Sequence, residues 1–284
     1  MPFTPAHPAA VLPLLRHPFS PAALVCGAIA PDVPYFLAGA GIPVSAQSWY
    51  EPFLNATYSH TLPGLTVALP SALALLVLYG VVRRPVAALL PTHPSPARTA
   101  SHPAVWVLLS ALTGIATHLV WDSFTHADGY VVEHAAVLRT QVAGSLTLAR
   151  LIQHLSTVGG LAAVAIHLWH RRPRTPRTPR TPATTPSSTT APAPFPALPR
   201  PARRAAVATL TTATLIGAVT GAAATLEDSR GGAAHPEQVP LRDLAEATAA
   251  TALTSAGAAL AAALALYAAA WWSYTALRRT TPST

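Results

Sequence analysis

The stretch THLVWDSFTH, residues 117–126, closes an apolar run and carries His118, Asp122 and His126, each four residues from the next. Imidazole and carboxylate are metal-ligand groups. On a helix, positions i and i+4 lie on one face, one turn apart. His118 and Asp122 can therefore grip one ion, as the two histidines of a helical zincin do. His126 lies about 12 Å from His118 along an ideal helix rising ~1.5 Å per residue. Three arrangements stay open: two ions with Asp122 bridging them, a helix that ends near Ser123 so that His126 swings in, or a His126 standing behind the ligands. The chemistry of such a set is Lewis-acid activation of water and of a scissile group.

More residues of the same types gather near the ends of apolar runs. They are His7 in MPFTPAHPAA, Asp32 in GAIAPDVPYF, His60 in TYSHTLPG and His154 in LIQHLST. Pro31 and Pro34 restrict the backbone around Asp32. Ser59 and Thr61 flank His60 as hydrogen-bond partners for a ligand. Taken singly, each residue has a plain structural explanation, such as an aspartate ending a helix in a turn. As a set, His7, Asp32, His60, His118, Asp122, His126 and His154 are candidate ligands for a divalent metal. Zinc suits histidine and carboxylate ligands best, with manganese or iron as alternatives. Asp32 and Asp122 are candidates for ligand or catalytic base, and spacing does not divide those roles. Asp128 and Glu133 are further acids nearby.

These residues need elements to hold them. The 284-residue chain is 51% hydrophobic and only 10% charged, against about 25% charged in a soluble domain. The fold class expected is all-α, a multi-pass transmembrane helical bundle of about five spans with N-terminal interfacial helices. A span needs about 20 apolar residues, which selects 62–82, 104–121, 154–170, 205–226 and 247–275. Residues 9–30 are apolar but broken by Pro13, Pro18 and Pro21, and read as two short helices at the interface or packed on the bundle. Residues 171–204 repeat Arg-Thr-Pro and then run through Ser, Thr, Pro and Ala, the composition of a disordered linker. This divides the chain into a membrane domain at 1–170, a linker at 171–204 and a transmembrane hairpin at 205–284. The opening residues do not read as a signal peptide.

All 18 basic residues are Arg, and the net charge is +8. They cluster beside apolar runs, which fits membrane topology and not a nucleic-acid partner. Arg83, Arg84 and Arg98, then Arg171 to Arg180, Arg203, Arg204, Arg278 and Arg279 occupy loops on one side, and most acids lie on the other. The positive-inside rule then places the N-terminus outside, the C-terminus in the cytoplasm, and the seven candidate ligands on the outer side. The single Cys26 forms no intramolecular disulfide and reads as a buried, inert thiol. No phosphate loop, dinucleotide fingerprint or nucleophile elbow is present.

The segments MPFTPAHPAAVLPL, GAIAPDVPYF, YSHT, HLVWDSFTH and QHLST, in that order, resemble a bacterial membrane-protein family described as domain of unknown function 4184. That resemblance covers roughly residues 1–170 and implies membership but no activity. More loosely, the order of an early His, a PD, an SH before a span and a His and Asp on one helix is similar to LexA-regulated membrane-bound metal-dependent hydrolases. The His-x-x-x-Asp face also looks like that of zinc-dependent phospholipase C and single-strand nucleases. Those resemblances imply His118 and Asp122 as ligands and a phosphoester substrate. The resulting expectation is a metal-dependent hydrolase at the outer membrane surface acting on a lipid or lipid-linked phosphoester, with membrane lipid as its partner. The alternatives are a metal or proton transporter, or a non-catalytic scaffold with a structural metal.

Overall fold

A computed structural model describes residues 4–41, 50–90, 102–171, 198–231 and 241–280. Thr4–Leu14 forms a 3-10 segment, because Pro8 and Pro13 remove amide donors that an α-helix would need. The chain continues as α1 (Pro21–Ile29), a 3-10 turn (Ala30–Asp32) and α2 (Val33–Gly39). Pro34 sits in the first turn of α2, where a missing N–H costs little. Two short helices, α3 (Glu51–Leu54) and α4 (Ala56–Ser59), lead into α5 (Leu65–Ala88). Then come α6 (Ala104–Thr125), α7 (Tyr130–His134) and a 3-10 turn at Ala136–Arg139. A small antiparallel ribbon follows, β1 (Gln141–Ala143) with β2 (Leu146–Thr147). The long helices α8 (Leu148–His170), α9 (Arg200–Gly231) and α10 (Leu241–Thr280) complete the bundle.

The fold is therefore an all-α multi-pass bundle. Among the described residues, six helical stretches are long and apolar enough to cross a membrane. Five correspond to the expected spans, and the sixth is Pro21–Gly39. Residues 9–30 do hold two short helical pieces, yet α1, the 3-10 turn and α2 add up to a broken span. Such a break in the backbone is tolerated at membrane depth where protein buries it. Most of the expected linker, residues 172–197, lies outside the described residues. Helix α9 starts at Arg200, inside the segment read as linker. Hydropathy finds only the apolar middle of a helix, whereas Arg203 and Arg204 can extend their stems along it.

Packing between the elements relies on small residues. Helices α1 and α6 run parallel and in register. The Ser20 amide donates to Ser110 Oγ at 2.9 Å, and the His118 ring pairs with the Ala28 carbonyl at 2.8 Å. A Cβ on Gly27 would lie 2.2 Å from the Ala111 carbonyl oxygen, and one on Gly114 would lie 2.2 Å from that of Leu24. Only glycine lets these two backbones meet so closely. Ala30, Ala68, Ala72, Ala111 and Ile115 form the buried core joining this pair to α5.

Helices α9 and α10 form an antiparallel hairpin with Gly217 and Gly221 against Ser255. Helix α10 also docks on α5. Pro85 cannot donate to the carbonyl of Val81, and the Trp272 indole N–H donates there instead, at 3.1 Å. The Tyr267 hydroxyl donates to the Pro85 carbonyl at 2.9 Å. Both contacts lie at the bundle end that carries Arg83, Arg84 and Arg278. At the other end α5 begins, α6 ends and α8 begins.

Candidate metal centre

Three elements meet at that other end. The 3-10 turn Ala30–Asp32 delivers Asp32, the turn after α4 delivers His60, and one face of α6 delivers His118 and Asp122. Ligand atoms of these four residues all lie within 4.8 Å of one another. His118 and Asp32 side chains are 0% exposed, and Asp122 is buried.

The spacing could hold an ion. Bonds of about 2.0–2.2 Å to nitrogen and oxygen in a tetrahedron imply ligand–ligand edges of about 3.3–3.6 Å. His60 Nε2 lies 3.4 Å from Asp32 Oδ1 and 3.4 Å from Asp122 Oδ2. His118 Nε2 lies 3.6 Å from Asp32 Oδ1 and 3.0 Å from Asp122 Oδ2. The two Nε2 atoms face each other at 3.2 Å.

Both imidazoles are turned to present Nε2 to this centre. His118 Nδ1 is 2.8 Å from the Ala28 carbonyl, and His60 Nδ1 is 2.7 Å from the Ala56 carbonyl. A carbonyl only accepts, so each Nδ1 carries the proton. In the neutral ring Nε2 is then a lone pair. Ser59 holds the two loops together, donating from Oγ to the Pro31 carbonyl at 2.7 Å.

The polar groups at the centre lack other partners. Neither oxygen of Asp32 or Asp122 accepts a hydrogen bond among the described residues, although all four are buried. Buried carboxylates left in this way are costly unless a cation compensates them. Without an ion, a protonated neighbour such as His60 would have to do so. Burial opposes the charged ring, but Asp122 and Asp32 outweigh it and raise its pKa to about 10. Charge-assisted hydrogen bonds to carboxylates run about 2.7–2.9 Å, shorter than the 3.4 Å on both sides of His60 and close to the 3.0 Å between His118 and Asp122. The residues present thus fit a small divalent cation.

Two more histidines border the four. His7 stacks on His118 with ring centroids 3.8 Å apart, and its Nε2 lies 3.6 Å from Asp122 Oδ1. Burial, reinforced by the neighbouring His118, lowers its pKa to about 4, so the ring is neutral at physiological pH. Helix α6 ends at Thr125 and His126 is extended, with φ −86° and ψ 144°. This is the arrangement in which the helix stops and His126 swings in, leaving Nδ1 3.5 Å from Asp122 Oδ2.

Of the seven candidate ligands, six are brought together. His154 stands apart: it is exposed on α8 and lines a neighbouring cavity of about 800 Å³. Asp128 lines the same cavity, and Glu133 is exposed. Thr61 serves its own turn, receiving the Gly64 amide at 3.1 Å. The carbonyls of Ala28 and Ala56 escape sequence reasoning because any residue type could supply them. Cys26 is buried, as expected.

Comparison with known proteins gives the family. The model of the family described as domain of unknown function (DUF4184) matches residues 1–269, so the chain belongs to that family. The match runs beyond residues 1–170 into α9 and most of α10. No curated protein and no solved structure matches the chain.

Proposed function

We propose that this member of the family is a membrane-embedded metal-dependent hydrolase, with Asp32, His60, His118 and Asp122 holding one divalent ion, zinc by preference. One observation carries the reading. Two imidazole nitrogens each lie 3.0–3.6 Å from both buried carboxylates, with the other ring nitrogens already committed to backbone carbonyls. Zinc is preferred on the ligand types, two imidazoles and two carboxylates. Bound there, the ion would supply Lewis acidity toward water and toward a phosphoryl oxygen.

The chain's own groups divide the remaining work. Asp32, His60 and His118 bind, and their hydrogen-bonded supports hold them in place. Asp122 offers Oδ2 to the centre and Oδ1 to His7. That second oxygen is the acceptor for the proton of an attacking water. In the reaction proposed, water adds to phosphorus, the ester P–O bond breaks, and the departing oxygen takes up a proton. Neutral His7 can receive the proton from Asp122 in turn.

A lipid or lipid-linked phosphoester is the proposed substrate class, because the ligands lie within about two turns of the end of α6, near headgroup depth. The arginine-rich end of the bundle is the opposite one, which supports an outward-facing site by the positive-inside rule. Five crossings would put the chain ends on opposite sides; a sixth at Pro21–Gly39 would put them on one side, with the site still outward. A structural ion is the second reading, favoured by four protein ligands that leave no position open.

The test begins with metal content of the detergent-purified protein. About one zinc per chain is expected in wild type and in His154→Ala, and none in the His118→Ala/Asp122→Ala double variant. Phosphate release from dihexanoyl phosphatidic acid should then follow zinc, stopping with a chelator and returning on re-addition. An ion-free wild type ends the metal reading. A zinc-loaded but inert protein, tested across monoester and diester lipids, selects the structural ion.

A further inference from the structure

The cavity of about 800 Å³ beside the cluster has a chemistry of its own. Its volume falls within the range of small-molecule sites, about 300–1,000 Å³. Thr4, Thr125 and His126 form the wall it shares with the proposed metal centre. His126 Nδ1 is 3.5 Å from Asp122 Oδ2, so a group seated in the cavity lies one side chain from the ion.

The cavity has two unlike parts. Phe36 of α2 and Ala249, Ala250 and Leu253 of α10 line one, and they offer hydrocarbon. Arg139, Arg150, Gln153 and His154, from the 3-10 turn and the start of α8, line the other and offer donors. Arg139 is exposed, and no carboxylate among the described residues pairs with it. Arg150 pairs with Glu246 across the cavity, from α8 to α10, and Glu246 is also held by Arg242 at 3.0 Å. Glu246 thus has a second cation to keep it if Arg150 turns away. Asp128 is the opposing carboxylate on the wall.

We infer that this cavity seats a phosphate-bearing amphiphile, with Arg139 and Arg150 binding the phosphate and the α2–α10 wall receiving the first part of the hydrocarbon. Guanidinium forks match phosphate oxygens, and these contacts are about twice as strong as neutral hydrogen bonds. Arg150 exchanges Glu246 for the ligand while Arg242 retains Glu246. The inference rests on the hydrolase reading for its link to chemistry, but it stands or falls on binding alone.

The test measures binding to the full chain in a neutral detergent by calorimetry, with dihexanoyl phosphatidic acid, dihexanoyl glycerol and inorganic phosphate as probes. The phosphatidic acid should bind at least about tenfold more tightly than either other probe. Arg139→Gln and Arg150→Gln should each weaken it about tenfold, the loss of one charged contact, with zinc content unchanged. Glu246→Gln should tighten it, a sign that a merely structural Arg150–Glu246 bridge would not produce. Chelator-treated protein should keep the arginine dependence, so loss of the metal reading leaves this inference standing. A zinc-loaded wild type that binds dihexanoyl glycerol equally well, or arginine variants without effect, overturns the inference alone. Inorganic phosphate binding as tightly as the lipid overturns its hydrocarbon half.

Discussion

Substituting Gly114 with alanine should damage the candidate metal centre from a position that supplies none of its candidate ligands. The added Cβ would sit 2.2 Å from the Leu24 carbonyl oxygen and 2.7 Å from the Ala28 nitrogen. Ordinary contact begins near 3.4 Å, a shortfall of about 1.2 Å, and the obstacles are backbone atoms that no rotamer change can move. Helix α1 must therefore withdraw from α6 by about 1 Å. That withdrawal stretches the 2.8 Å bond between His118 Nδ1 and the Ala28 carbonyl beyond hydrogen-bonding range. It also carries Asp32, four residues further on, away from the cluster, where ligand distances tolerate only about 0.2 Å. Loss of the outer partner of a ligating histidine alone weakens metal binding about 10–100-fold, or about 1.4–2.7 kcal/mol. The overpacked interface costs a further ~1–3 kcal/mol of stability. The assay is zinc affinity by competition with a chelating dye, with size exclusion confirming a folded protein. Gly80→Ala is the control, because a Cβ there meets nothing within 4 Å. A folded Gly114→Ala protein that binds zinc like wild type would refute the coupling of helix contact to ligand geometry.

Two other predictions use different parts of the molecule. In the ion-free protein His60, raised to about 10, is protonated at pH 7.5, while His7, lowered to about 4, is not. Zinc uptake at pH 7.5 should therefore release about one proton, and affinity should rise about tenfold per pH unit until near pH 10; calorimetry in buffers of different ionisation enthalpy counts the proton, and a count of zero contradicts the charge assigned to His60. The same shift makes the His60 contribution to ion-free stability full below its unfolded value of about 6.5 and lost as pH climbs through 10. Trp272→Phe and Tyr267→Phe each leave a carbonyl of α5 without its donor, and should each lower resistance to SDS unfolding by about 0.6–1.5 kcal/mol; an unchanged unfolding curve for both would show that α10 docks by shape alone.

The spans were readable because a lipid-facing helix must be apolar over a length fixed by the bilayer. Their ends were not, since hydropathy fades where a helix enters the interface. Thus 154–170 begins at Leu148 and 205–226 begins at Arg200. The Pro21–Gly39 stretch was hidden for a different reason. Pro13, Pro18 and Pro21 make residues 9–30 read as two short helices, so the apolar stretch that continues from Pro21 to Gly39 is not read as one span.

Sequence reading places a residue along the membrane normal far better than around a helix axis. His118 and Asp122 escape this difficulty, because spacing of four fixes their mutual azimuth whatever the helix does. His7, Asp32 and His60 escape it as well. They lie off the long helices, in two 3-10 segments and the turn after α4, so the right depth is enough to let them converge. His126 joined them only because α6 stops at Thr125. His154 has a similar depth, yet it sits on a regular helix and its azimuth decides its company. The face of α8 that carries it turns toward the cavity and α10 instead of α6. The candidate ion-binding set therefore combines paired positions on one helix with single positions on short segments. A lone histidine on a long helix is the member that depth alone cannot assign.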